Sequence, residues 1–340
     1  MPLGDLIENR RLTLGLLGIA AAALLGAGLA RQPLQFLVAA LGIGLGTVAV
    51  QVLVPYAAHL APDASRGRAV GNVTSGLMLG IMLARPIASF IADMASWHAV
   101  FLLAATAMLA LAAVLARALP VRRPALGMGY GSLLASMGRL LRDTPALRRR
   151  ALYHAALFAA FSAFWTTVPL LLASPTFGLS QSGIALFSLV GAAGAIATPL
   201  AGRIADRGHS RTATALAMGM VALAFPMTHL AQPGSAWALC LLAAAAIVLD
   251  FGVAANLTLG QRVIFALGTE VRARLNGLYM ATFFLGGALG SALGAWAYAR
   301  GGWAWASGFG IALPAAALTY WTTEQRQPRF KRDTPKGANR

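Results

Sequence analysis

Two ionisable side chains, Arg85 and Asp250, stand well inside long apolar runs of this sequence. Placing a charge at the centre of a bilayer costs about 2.5–3.5 kcal/mol on insertion scales, so each one needs a function or a partner. A desolvated carboxylate such as Asp250 can load and release a proton as its surroundings change. The alternative for Asp250 is a structural acid bonded to neighbouring helices or to Arg262.

Arg85 precedes Pro86, which leaves two interpretations open. The arginine either binds an anionic substrate or an acid, or it anchors carbonyl groups that the proline leaves free. Several amides also lie in or at the ends of apolar runs, where they either line a polar cavity or bond helix to helix. They are Gln51, Asn72, Asn256, Gln261 and Asn276.

The elements that must position these residues are apolar helices. The 340 residues are 58% hydrophobic and 11% charged, whereas a soluble domain carries about 25% charge. Mean hydropathy is +0.70. We therefore predict an all-α polytopic membrane protein. Windows of about 20 residues indicate ten spans, at residues 14–30, 34–56, 69–92, 98–116, 151–173, 182–202, 212–230, 236–259, 276–298 and 303–321.

The net charge of +17 is compatible with nucleic-acid binding, but its distribution favours membrane topology. All but three of the 27 basic residues lie on one side of the ten spans, the exceptions being Arg31, Arg85 and Arg300. This bias predicts a multi-pass protein of a bacterial inner membrane with both termini cytoplasmic, and no nucleic-acid partner. With a rise of 1.5 Å per residue, Arg85 lies about 10 Å and Asp250 about 21 Å from the outer ends of their spans, so a direct ion pair is not expected.

The longest polar interval, 117–150, indicates a cytoplasmic linker. Leu133, Met137 and Leu140 recur within it at helical spacing, which is typical of an interfacial amphipathic helix. The linker divides an N-terminal helical bundle (1–116) from a C-terminal bundle of six helices (151–321). A basic cytoplasmic tail (322–340) follows.

The two bundles share repeated segments. Arg66 and Arg68 precede Gly80 as Arg272 and Arg274 precede Gly286, each pair opening a glycine-rich span. Small faces that allow close helix approach are expected in both copies; they are formed by Gly71, Gly76 and Gly80, and by Gly286, Gly287, Gly290 and Gly294. A looser repeat relates residues 4–11 to 202–211. Its register leaves the first bundle about 50 residues short, which predicts two absent helices through a late start codon or a truncated copy.

These features resemble the major facilitator superfamily, and in particular bacterial efflux permeases of the arabinose-efflux type. The resemblance rests on the glycine, aspartate and arginine pattern of 202–211 and on the glycine-rich stretches 76–85 and 284–291. It implies two bundles related by a repeat, here with four helices and six, corresponding to the family's helices three to twelve. It also implies transport by alternating access.

The resemblance further implies gate motifs in the cytoplasmic loops. Carboxylates and arginines there can form an ion-pair network that holds the outward-open state, or they can simply set topology. The candidates are Gly4, Asp5, Glu8, Arg10, Arg11, Arg66, Arg68, Gly202, Asp206, Arg207, Arg211, Arg272 and Arg274.

The function expected from these patterns is a secondary transporter, not an enzyme, that exports a small organic solute in exchange for protons. A monomer without a cofactor is expected, and the five scattered histidines have no metal-ligand spacing. One rival is a transport-inactive permease remnant or a non-transporting membrane partner. A membrane-embedded enzyme is a weaker rival, because the sequence has no Asp-x-x-Asp-Asp cluster. The fold class does not specify the substrate.

Overall fold

The computed structural model describes residues 8–60, 66–121, 130–191, 210–267 and 271–324. Within those ranges the regular structure is helical, and no strand occurs. We number the helices in chain order. They are α1 (Asn9–Gly28), α2 (Pro33–Gly46), α3 (Ala49–Leu60), α4 (Arg66–Met94), α5 (Trp97–Ala118), α6 (Tyr130–Asp143), α7 (Pro145–Ala173), α8 (Gln181–Ser188), α9 (Ser210–Met227), α10 (Ala236–Phe265) and α11 (Arg272–Thr322).

The predicted span 34–56 is interrupted in the structure, where α2 ends and α3 begins three residues later. Glycines crowd the end of α2, and glycine weakens a helix by about 1 kcal/mol relative to alanine. Thr47 then donates from Oγ1 to the Gly44 carbonyl at 2.9 Å, a local bond that competes with helix continuation. The prediction of one uninterrupted helix is therefore wrong at this point.

Helix α11 contains two predicted spans, separated by a reversal at Gly301 and Gly302. Gly302 has a φ of +62°, a conformation that favours glycine. Before the reversal, Gly286, Gly290 and Gly294 face α7 residues whose numbers rise in the same direction, so the two segments are parallel. After it, Trp303 makes an edge-to-face contact with Phe164, and Tyr320 makes one with Tyr153. The second segment therefore runs antiparallel to α7.

The exterior of the bundle is apolar. Among the residues that the structure describes, five helical segments are long and apolar enough to cross a membrane: Asn9–Gly28, Trp97–Ala118, Pro145–Ala173, Ala236–Phe265 and Arg274–Thr322. The last has 49 residues, enough for two crossings at 1.5 Å per residue. Large side chains such as Leu34, Leu41 and Trp237 are more than two-thirds exposed, which suits contact with acyl chains.

The main core lies in the C-terminal half, which we define as α7 to α11. Phe164, Phe225, Leu242 and Leu249 are fully buried there, on α7, α9 and α10. Helices α7 and the first part of α11 approach closely through small residues. A Cβ on Gly290 would lie only 2.1 Å from the Ala159 carbonyl oxygen. The predicted close packing of this glycine face is confirmed. The matching prediction for α4 is wrong for Gly76 and Gly80, because no described atom lies within 4 Å of a Cβ added at either position. Gly71 lies outside the described side chains.

The N-terminal half, α1 to α5, is organised around α1, which packs against α2 and α5. Gly46 gives α2 access to α1, because a Cβ there would lie 2.5 Å from the Ala20 Cβ. Within the described ranges, extensive contact between the two halves is confined to α4 and α8. At that contact Ser182 donates from Oγ to Oδ2 of Asp93.

Candidate functional site

Asp250 lies near the middle of α10 and is 8% exposed. Its Oδ1 accepts a hydrogen bond from the Trp165 indole Nε1 at 2.8 Å, across the α7–α10 contact. Its Oδ2 points to the backbone of Gly191, just beyond α8, where an added Cβ would lie 2.8 Å away. The carboxylate thus stands where three helical segments converge, bonded to the Trp165 indole and bordered by a glycine.

The local sequence explains this placement. Helix α10 is capped by Ser235, whose Oγ accepts from the Ala238 N–H at 3.1 Å, and its Leu249 and Val253 enter the main core. Asp250, adjacent to Leu249, is carried to the edge of that core. Arg262, the partner considered from the sequence, is exposed and twelve residues along the same helix, about 18 Å away. The neighbouring-helix alternative is the one that the structure shows.

A second buried polar cluster lies nearer the C-terminal end of α10. The Asn256 Nδ2 donates to Nδ1 of His154 at 3.1 Å, and both side chains are buried. The imidazole stacks on Phe283 and Tyr279, with centroid distances of 4.4 and 5.3 Å. Because an amide nitrogen only donates, Nδ1 is the acceptor and the ring proton is on Nε2.

This cluster contains polar atoms without a partner among the described residues. They are Nε2 of His154 and the hydroxyl of Tyr279, both enclosed. Gly260 borders the hydroxyl so closely that a Cβ there would lie 2.2 Å from it. Buried groups of this kind cost about 1–3 kcal/mol each when unpaired, so the cluster is a place for water or a polar ligand atom.

Two of the other predicted site residues lie away from Asp250. Gln261 is half-buried near the end of α10, and Asn276 lies on α11 with its Oδ1 enclosed and without a partner among the described residues. Arg85 and Gln51 lie on α4 and α3, but their side chains are outside the described part of the structure, as is that of Asn72. Their roles stay predictions.

The gate candidates are only partly described. Glu8 pairs with Arg11 at 3.3 Å, and Arg10 donates to the Ala116 carbonyl. Arg211 donates to the Glu324 carbonyl at 2.8 Å, and Arg274 to Ser136 Oγ at 2.9 Å. None of these bonds joins the two halves. The remaining candidates lie outside the described residues or side chains: Gly4, Asp5, Arg66, Arg68, Gly202, Asp206, Arg207 and Arg272.

A charged cluster that the sequence reasoning missed lies where α7 begins and α11 ends. Arg150 is buried and pairs with Glu324 at 3.2 Å, while its other nitrogen donates to Thr214 at 2.8 Å. Arg149 donates to Thr323 at 3.0 Å. These contacts tie α7, α9 and the end of α11 together. The interpretation of Arg150 as a linker residue overlooked that α7 begins at Pro145, so that its arginines belong to the helix.

Trp165 and His154 were also missed, although the sequence contains a signal for each. Trp165 stands in the middle of an apolar span, away from the span ends where interfacial tryptophans lie, and its N–H needs an acceptor there. His154 stands within the same span, where a polar side chain needs a partner on another helix.

The helical architecture, apolar surface and intramembrane carboxylate together define a polytopic α-helical membrane protein. The sequence profile of the Major Facilitator Superfamily matches residues 1–264. The chain belongs to this family, as its glycine and arginine motifs predicted, and is a membrane transporter of that type.

Two relatives support the assignment. The chain is 36% identical over 329 residues to a protein named as a transporter, YgaY of Escherichia coli K12; the match covers 96% of this chain and 82% of the relative. It is 34% identical over 294 residues to SCO4007 of Streptomyces coelicolor, also named as a transporter, and this match covers 86% of this chain and 67% of the relative.

Solved structures share the fold. A POT family transporter in complex with 5-aminolevulinic acid superposes with a TM-score of 0.71 at 15% identity, covering 94% of this chain and 82% of that one. The human organic anion transporter MFSD10 superposes with a TM-score of 0.58 at 19% identity, covering 94% and 78%.

Proposed function

We propose that this transporter exports a small organic solute in exchange for protons by alternating access, and that Asp250 is the residue that carries the proton. The observation that supports the proposal is the buried Asp250 carboxylate, bonded to Trp165 and enclosed by Gly191. The free energy of burying a carboxyl group in such a site is lowest when a hydrogen-bond donor offsets its charge or when a proton is bound. Rearrangement of α7, α8 and α10 would change both the contact with the donor and the access of a proton.

Trp165 suits this role because its indole N–H can only donate. It stabilises the ionised carboxylate, and it can still donate to the carbonyl oxygen of the protonated form. The bond therefore orients Asp250 in both protonation states. In this proposal the proton binds at Oδ2, which faces Gly191.

Two observations support the proposal of a small organic solute. The similar solved structures include a complex with 5-aminolevulinic acid and an organic anion transporter, both concerned with small organic molecules. The polar His154 and Asn256 cluster lies about 9 Å along α10 from Asp250, six residues further on, and offers hydrogen-bonding groups to such a solute.

The proposed setting is a bacterial inner membrane, with a monomer whose two termini are cytoplasmic. The distribution of basic residues supports this orientation, since Lys and Arg accumulate in cytoplasmic connections. The buried arginine cluster with Glu324 would then lie at the cytoplasmic surface, close to the basic tail.

The experiment uses inverted membrane vesicles and a panel of sugars, nucleosides, amino acids and cationic dyes, to find the solute that accumulates on a proton gradient. In Asp250→Asn, we expect gradient-driven accumulation to be abolished while solute counterflow without a gradient persists. The asparagine oxygen still accepts from Trp165, so the fold is retained. Asp93→Asn, which neutralises an exposed acid on α4, is the matched control.

Full gradient-driven accumulation by Asp250→Asn would contradict the coupling role. If the wild-type protein moved no member of the panel in either assay, the result would favour the alternative of a non-transporting membrane partner. If Asp250→Asn lost both counterflow and accumulation, the result would assign Asp250 to solute binding.

A further inference from the structure

A small cavity lies between the amphipathic helix α6 and the first turn of α11. Its volume is about 250 Å³, and its lining residues are Ser136, Arg139, Leu140, Asp143 and Arg274. The four residues from α6 are spaced i, i+3, i+4 and i+7, so they share one face of that helix. The cavity is smaller than pockets that enclose whole drug-sized ligands, which are about 300–1,000 Å³. It suits a compact polar group.

The walls of this cavity are fixed by contacts outside it. Arg274 donates to Ser136 Oγ at 2.9 Å, joining α11 to α6. Leu140 packs on the buried Leu147 and Ile264 cluster. At the end of α6, Arg148 donates to the carbonyls of Leu141 and Arg142. The cavity is therefore built between anchored elements.

The opposite side of α6 indicates where the cavity lies. Leu134 and Leu141, seven residues apart and on one stripe, are 46% and 38% exposed. An amphipathic helix with exposed leucines lies in the membrane interface with those side chains among the acyl chains. The cavity on its other side is then at the level of the lipid head groups.

The charges that line the cavity are of both signs and are not paired with each other. Arg139 and Asp143 are four residues apart on α6, yet no ion pair involves either of them in the described part of the chain. Arg274 contributes a second guanidinium. Two guanidiniums beside one carboxylate complement a ligand that carries a phosphate and, a few ångströms away, a cationic or hydroxyl donor.

We propose that this cavity binds the head group of an aminophospholipid. Arg139 and Arg274 bind the phosphate, the Ser136 hydroxyl holds Arg274 at the wall, and Asp143 accepts hydrogen bonds from the ammonium group. Basic pockets at this membrane level are suited to lipid phosphates, and the carboxylate adds selectivity for an N–H donor. This site is independent of the transport chemistry proposed for Asp250.

The test measures lipid retention by native mass spectrometry of the full chain, delipidated and titrated with phosphatidylethanolamine or with phosphatidylcholine. The two lipids share the phosphate, but the methylated nitrogen of phosphatidylcholine has no N–H. We expect the wild-type protein to prefer phosphatidylethanolamine by roughly tenfold. Phosphatidylcholine cannot donate a hydrogen bond to the Asp143 carboxylate, and a hydrogen bond to a charged group contributes roughly tenfold or more in affinity.

Three variants separate the roles. Asp143→Ala, which removes the acceptor, should bind both lipids equally, whereas Arg139→Gln with Arg274→Gln should lose both. Arg142→Gln, on the same helix but outside the cavity lining, is the matched control and should behave as wild type, since only its backbone carbonyl contacts Arg148. Melting temperature without added lipid shows that the variants are folded.

Equal retention of the two lipids by wild type would overturn the proposal, as would stronger retention of phosphatidylglycerol than of phosphatidylethanolamine. Competition by soluble glycerophosphoethanolamine at the same concentration as the lipid would assign the cavity to a free phosphate compound, and would also overturn it. Solute transport is measured separately, so failure of the lipid site leaves the Asp250 proposal unaffected.

Discussion

Gly191 and Asp250 meet at a contact with no room for a methyl group. A Cβ on Gly191 would lie 2.8 Å from Oδ2 of Asp250 and 2.9 Å from Cζ2 of Trp165. Both the acid and its donor would have to move, although neither residue itself is changed. The glycine thus has a positioning role in the proposed proton site.

We expect Gly191→Ala to lose most gradient-driven transport and to destabilise the protein by about 1–3 kcal/mol, as overpacking does. Gly219→Ala, where no atom lies within 4 Å of the new Cβ, is the control. Thermal melting in detergent and accumulation in inverted vesicles measure the two effects. If Gly191→Ala matched the wild-type protein in both melting and accumulation, the close approach of Gly191 to Asp250 and Trp165 would have no functional role.

The bond between His154 and Asn256 permits a double-mutant cycle. Each single variant, His154→Phe or Asn256→Leu, leaves the other side chain unpaired, while the double variant removes both polar groups. Interhelical hydrogen bonds in membranes give coupling energies of about 0.6–1.7 kcal/mol. We expect the double variant to be more stable than the sum of the single effects by that amount, measured by unfolding in mixed micelles. Strict additivity would contradict a direct bond.

For single residues, the sequence showed which polar side chains interrupt apolar runs, but it did not show which side chains they contact. Asp250 and Asn256 stand out because each interrupts an apolar run. Their partners Trp165 and His154 are on another helix, and helix pairing depends on tertiary packing that a single sequence does not reveal. The sequence analysis considered the histidines only as metal ligands, so it did not predict the hydrogen bond of His154.

Helices α7 and α11 pack through a column of small residues. Gly286, Gly290 and Gly294 recur every four residues, and each faces an alanine of α7. In a membrane, association depends on such close packing, because lipid is as apolar as the side chains and supplies no hydrophobic drive. The column therefore holds the start of α11 on the helix that carries Trp165.

We expect Gly290→Ala to be destabilising by about 1–3 kcal/mol, although alanine is the better helix former, because its Cβ would lie 2.1 Å from the Ala159 carbonyl oxygen. Gly308→Ala lies beyond the reversal of the same helix and has open space around its Cβ. It should be neutral or slightly stabilising. The measurement is the melting temperature of each variant in detergent. Equal melting temperatures for Gly290→Ala and Gly308→Ala would argue against the close contact.

The helical class was predictable, because it follows from hydropathy over about 20 residues. Helix ends were less so. The break after Gly46 depends on local hydrogen bonding by Thr47, and α7 extends back to Pro145 through three arginines that a hydropathy window counts as linker. Proline is favourable in the first turn of a helix, which is the signal that this boundary offered.

At the scale of the whole molecule, most basic residues lie on one side of the predicted spans. The proposed orientation places the linker helix α6 in the cytoplasm and the turn between α9 and α10 outside. The single cysteine, Cys240, is replaced by alanine to give a background for labelling. Gln232 and Arg142 are both exposed and lie at the two ends.

In intact cells, a membrane-impermeant maleimide should label Gln232→Cys and should label Arg142→Cys only after permeabilisation. The reason is that arginine-rich connections remain on the cytoplasmic side. The two single-cysteine proteins serve as controls for each other. The reverse pattern would invert the topology and would remove α6 from the cytoplasmic leaflet.

The contact between α4 and α8 constrains how the two halves can move relative to each other. It is the extensive contact between them in the described ranges, and it runs along one pair of helices. Turning one half about the long axis of that pair preserves most of these contacts, whereas sliding or separating the halves breaks them. A rotation about this pair therefore keeps the described contact, and because its axis lies beside Gly191, a small angle at the axis changes the surroundings of Asp250.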